Sequence, residues 1–162
     1  MFFKSALIDS DAAVQAVRTL LHRLGSSSTI VDFEEHLLIP SVRSTMRLWR
    51  RRARLVGVAF VDDYANLWLE SDPAAGLSAV ELETLCSEQI AWGEACLRKH
   101  SPDDRAGLSL DSCCPASDSQ RIAALLKHGF LLQELRTLRY SRPLSQPSQG
   151  LPLPNSQGCL PH

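Results

Sequence analysis

Residue types that could do chemistry crowd into two short stretches, near Asp72–Glu81 and Arg47–Arg54. In the first, Glu70 and Asp72 precede Pro73-Ala74-Ala75-Gly76-Leu77-Ser78-Ala79, a loop that opens a helix. Backbone amides at a helix N-terminus carry partial positive charge and can hold an anion. This loop has one glycine, Gly76, and no basic residue, and Ser78 and Glu81 stand at capping-box spacing. The helix start can therefore either take a phosphate or cap itself with its own carboxylate. The second stretch holds Arg47, Arg50, Arg51, Arg52 and Arg54. That cluster suits either an acidic partner or a solvated hairpin turn. Trp49 is the only aromatic residue in it, so no stacking platform for nucleic acid accompanies the charge.

Thiols and imidazoles suggest less. Cys86, Cys96, Cys113, Cys114 and Cys159 make an odd set without the spacing of a disulfide framework or a CxxC metal knuckle. They read as reduced thiols of a cytoplasmic protein; a zinc site with His100 is conceivable, but no CxxC spacing supports it, and structural thiols are expected. His128 would sit at a helix C-terminus, where a cation is favoured.

These groups must be positioned by an α/β (α+β) chain of 162 residues, long enough for one domain with a real core. The net charge of −1 provides no global field for nucleic acid or anionic membrane. No apolar run reaches membrane-spanning length, and the N-terminal MFFKSALIDSD is too poor in apolar residues for a signal peptide. A strand over Phe2–Ile8 precedes a helix from the Asp9-Ser10-Asp11 caps to Leu24. Gly25 stops that helix, Ser26–Ser28 continues as loop, and a second helix covers Asp32–Leu38. Three strands are expected next: Thr45–Arg50, the apolar Leu55–Val61, and Leu67–Glu70. The longest helix runs over Ala79–Lys99, with Leu82, Cys86, Ile90, Gly93 and Leu97 as its buried stripe and Leu85 beside it. A strand at Leu108–Asp111 follows. A helix capped by Ser117 and Gln120 carries Ile122, Leu125 and Leu126, and a strand or hairpin over Leu131–Tyr140 closes the order. Residues 1–144 form the folded domain. Residues 145–162 make a Pro-, Ser- and Gln-rich linker or disordered tail, too broken by proline to pack.

This order, with helix-Lys127-His128-Gly129-Phe130-strand at its end, resembles the GCN5-related N-acetyltransferase (GNAT) family, whose central mixed sheet is flanked by helices. Family members commonly end this helix in N-x-x-A-x-x-l-Y-e-k-l-G-F. Here Asp118 stands for the Asn, Arg121 for the Ala and Leu125 for the Tyr, while Gly129-Phe130 is kept. The chain looks most like the degenerate N-terminal half of a tandem protein of this kind. The resemblance implies acyl transfer from acetyl-CoA to an unknown small amine or peptide N-terminus. It implies cofactor contacts from Leu69, Ala75, Gly76, Leu77, Ser78 and Ala79, with Glu70 as base and Tyr140 as acid. Trp49, Trp68 and Trp92 are expected to contribute core or groove area, and Trp68, on the cleft strand, could also line a ligand pocket. The other reading is a domain without catalysis, paired with an active second copy or an identical subunit.

Overall fold

The computed structural model describes residues 3–25, 27–100 and 109–133. All of its elements lie within Met1–Leu132, one of two units into which the chain divides. Strand β1 (Lys4–Leu7) leads to helices α1 (Asp11–Leu24), α2 (Ser27–Leu37) and α3 (Pro40–Arg43). Strands β2 (Arg47–Arg51), β3 (Arg54–Val61) and β4 (Asn66–Ser71) follow, then a 3-10 turn at Pro73–Ala75. Helix α4 (Ala79–His100), strand β5 (Asp111–Ser112) and helix α5 (Ser119–Lys127) complete the order. The five strands form one mixed sheet in the order β1-β2-β3-β4-β5, antiparallel except for the parallel β4–β5 pair. The expected α/β (α+β) class is the one observed.

Alternation along the strands builds two cores. Leu48, Val58 and Phe60 face α1–α3 and pack with Val17, Leu20, Leu21, Phe33 and Met46. Trp49, Ala59, Val61, Leu67 and Leu69 face the other way, onto Leu85, Cys86, Ile90 and Cys96 of α4. The β2–β3 register shifts between Trp49 and Arg50, so Val56 and Gly57 both serve the α4 side, as a β-bulge requires. The bulge is occupied from α4. Gln89 is fully buried, and its Nε2 donates to the carbonyls of Val58 and Glu70, both at 3.0 Å. A Cβ at Gly57 would stand 2.9 Å from that nitrogen, so the glycine makes room for the glutamine. Gly93 does the same for Leu67, whose Cδ1 would lie 2.7 Å from an added Cβ.

Several boundaries differ from those expected. Helix α2 begins at Ser27, inside the stretch expected as loop. The buried stripe of α4 is Leu85, Cys86, Gln89, Ile90, Gly93 and Cys96; Leu82 and Leu97 are only half-buried, because the stripe follows the bulge rather than hydrophobicity alone. Helix α5 is capped by Asp118, whose Oδ1 accepts the Arg121 amide at 3.0 Å, and not by Ser117 with Gln120. Strand β5 starts at Asp111, and Leu108 lies outside the described residues. Leu131–Gln133 carry no strand, and residues 134–140 of the expected closing strand also lie outside.

The Gly129-Phe130 ending has a local cause. Gly129 adopts φ 84°, its N–H donates to Leu126 O at 3.0 Å, and the Phe130 N–H reaches back to Leu125 O at 3.1 Å. This is the Schellman helix stop, with Phe130 packed on the same core as Leu125.

Candidate functional site

Residues 65, 67 and 69 of the β4 segment turn their carbonyls toward β5, and each carbonyl finds a different partner. Ala65 O accepts the backbone N–H of Asp111 at 3.0 Å, the ladder bond that starts β5. Leu67 O accepts the hydroxyl of Ser112 at 2.9 Å. Strand β5 then ends, and Pro115 a little further on has no N–H to offer a ladder. Leu69 O is met by a side chain, Nη1 of Arg121, at 2.7 Å. A guanidinium thus stands where the neighbouring strand has left.

Arg121 is clamped in that position. Its Nη2 donates to Glu70 Oε2 at 3.0 Å, and its Nε forms an ion pair with Asp118 Oδ2 at 3.0 Å. Asp118 therefore holds both the amide and the side chain of the same residue, through one oxygen each. Arg121 is 9% exposed. Burial works against its charge, but Glu70 and then Asp118 more than offset this and raise its pKa above the ordinary value. Burial likewise pushes the nearby Cys86 and Cys114 thiols upward, disfavouring the thiolates that would act as nucleophiles.

The loop ahead of α4 is similarly occupied. Asp72 is 2% exposed, and its Oδ1 accepts the Ala74 amide at 2.9 Å. Its backbone carbonyl accepts the Ala75 amide at 3.0 Å. Gly76 takes φ 64°, a left-handed conformation that suits glycine. The capping box forms: Ser78 N donates to Glu81 Oε2 at 2.9 Å, and Glu81 N to Ser78 Oγ at 3.3 Å. The bond from the Ser78 amide, with the Ser78 hydroxyl and Arg51 beside it, holds the Glu81 carboxyl below its usual range.

The structure thus brings Leu69 and Glu70 together with Arg121, and gathers Ala75, Gly76, Leu77, Ser78 and Ala79 at the same end of the sheet. Tyr140 lies outside the described residues. Trp68 is on the opposite face of the sheet. It stacks on Phe60 with centroids 5.7 Å apart, and its Nε1 donates to Asp62 Oδ2 at 3.1 Å. It lines the α2 side near His36, not the β4–β5 gap, because positions 68 and 69 of a strand face opposite ways. As arranged, part of this set is already engaged within the chain. The Leu69 carbonyl and the Glu70 carboxylate are both engaged by Arg121, and the Ala75 and Ser78 amides are satisfied within the chain.

Arg121 is not among the site residues expected from the sequence. Its signal was present in the Asp118-x-x-Arg121 spacing, which places the two side chains on one helix face. Among the described residues, no group of three or more His, Cys, Asp or Glu side chains is placed to hold a metal ion. No helix among them is long and apolar enough to cross a membrane. No protein-family model matches the chain, and neither does any curated protein.

Proposed function

We propose that this chain is an acyltransferase-like domain of the GNAT kind that has lost acyl transfer and serves as a structural or regulatory partner of an active copy. One observation carries the reading: Arg121 caps the β4 edge at Leu69 O and engages Glu70. Those are the places where an acyl thioester and a general base would have to work. Glu70 Oε2 is occupied by the guanidinium, so that oxygen could take a proton from an amine only after Arg121 withdrew. Freeing that oxygen would expose a buried carbonyl and break an ion pair, which is costly.

The test is turnover. The chain is incubated with acetyl-CoA and a panel of small primary amines and peptides with free N-termini, and released thiol is followed. The expected rate equals that without protein. Thiol release that disappears in Glu70→Gln would overturn the reading and establish the acyltransferase.

A further inference from the structure

The arginine-rich β2–β3 turn takes no part in the reading above, yet the fold gives it a defined surrounding. Arg51, Arg52, Ala53 and Arg54, with Val56 and Ala75 as an apolar floor, line an open cavity of about 320 Å³. Two of the guanidiniums are held in place. Arg51 Nη2 lies 2.7 Å from Glu81 Oε1. Arg54 Nη2 lies 2.9 Å from Asp72 Oδ2 and donates to Ala74 O at 2.7 Å. Arg23 comes to the same Asp72 oxygen at 3.3 Å from α1. Arg52 is exposed and engages no carboxylate among the described residues. Three guanidiniums on the cavity thus stand against two carboxylates, one of which also pairs with Arg23, so positive charge is in excess there.

We infer that this turn is a binding site for the phosphate groups of a small phosphorylated molecule. Guanidinium presents paired N–H donors that match phosphate oxygens, and two of the three on the cavity are already oriented by their carboxylates. The cavity volume lies at the small end of ligand pockets, which suits a compact anion. A nucleic-acid strand would need aromatic faces for its bases. None lines the cavity, and Trp49 is buried with its Nε1 donating to Glu88 at 3.1 Å. Arg52 lines the cavity as an exposed side chain, and it holds φ 55°, a left-handed conformation uncommon for arginine.

Calorimetric titration of the full chain with inorganic pyrophosphate, at several salt concentrations, tests the inference. Binding is expected, weakening as salt rises, with inorganic phosphate weaker than pyrophosphate. Arg52→Gly is the informative variant, because glycine accepts the left-handed turn and the fold is kept. It should weaken pyrophosphate at least about tenfold, the loss expected for a charge-assisted hydrogen bond. Absence of heat with millimolar pyrophosphate would overturn the site. So would an unchanged affinity in Arg52→Gly, or a single-stranded oligonucleotide that outcompetes pyrophosphate.

Discussion

Replacing Arg121 with methionine tests whether the guanidinium holds the sheet edge together. Methionine keeps helix propensity and much of the buried stem, so the loss isolates the charged head. That head makes three contacts, to Leu69 O, Glu70 and Asp118. Removing one member of a buried ion pair commonly costs about 3–5 kcal/mol, because the partner is left uncompensated. Here the Glu70 and Asp118 side chains are 26% and 32% exposed and can regain water, which lowers the cost. The buried Leu69 carbonyl remains, at about 1–3 kcal/mol for an unsatisfied acceptor. A loss of about 2–3 kcal/mol follows, or roughly 8 °C in melting temperature for a domain of this size. Urea denaturation and differential scanning calorimetry measure it directly. The Glu70→Gln change completes a double-mutant cycle. With Arg121 present it removes an ion pair; in the Arg121→Met background it relieves a stranded charge, so a coupling of about 1–2 kcal/mol is expected. An Arg121→Met protein melting within about 2 °C of the wild type, together with an additive cycle, would refute the reasoning.

Two further predictions concern the sheet. Asp62 accepts from the Tyr64 and Asn66 amides, the Asn66 side chain and the Trp68 indole. Burial opposes its charge, but those donors win and lower its pKa beneath the ordinary 3.8. The folded state therefore binds this proton less readily than the unfolded chain. The stability it contributes is present above about pH 4 and disappears as pH falls through the lowered value. Asp62→Asn should cost about 1–3 kcal/mol at neutral pH and almost nothing at the acid end, as chemical denaturation from about pH 2 to neutrality would show; a constant difference across that range would count against it. Gly57→Ala should destabilise more than Gly93→Ala. The new methyl at 57 meets the Glu70 carbonyl at 3.1 Å as well as Gln89, whereas at 93 its nearest neighbours all belong to the Leu67 side chain, which can give. Overpacking of this kind costs about 1–3 kcal/mol, and equal denaturation midpoints for the two variants would contradict the ordering.

Much of this architecture is local and so was present in the sequence. The Ser10 cap and Gly25 stop of α1, the capping box of Ser78 and Glu81, and the strand Leu55–Val61 all depend on residues within a few positions of each other. Hydrogen bonds of that range are fixed by spacing, and spacing is visible in one dimension. Gly129-Phe130 belongs to the same class, being a helix stop that any suitable helix can use. What the tertiary structure alone decided lies across long separations. Arg121 reaches Leu69, 52 residues away, and Gln89 reaches Val58, 31 residues away. Neither polar residue announces itself as buried, because its burial depends on backbone acceptors exposed by a strand that ends early and by a bulge. The arginine turn shows the same contrast. Its charge was plain from the sequence, but its position beside Ala75 and Glu81 required the sheet to bring the β2–β3 turn and the start of α4 to one end. Composition and periodicity marked most of the described elements in their order, though not the short helix α3, and the expected strand over 134–140 lies outside the described residues. Which polar groups meet between those elements, and so what the β4 edge can do, depended on contacts that only the folded chain makes.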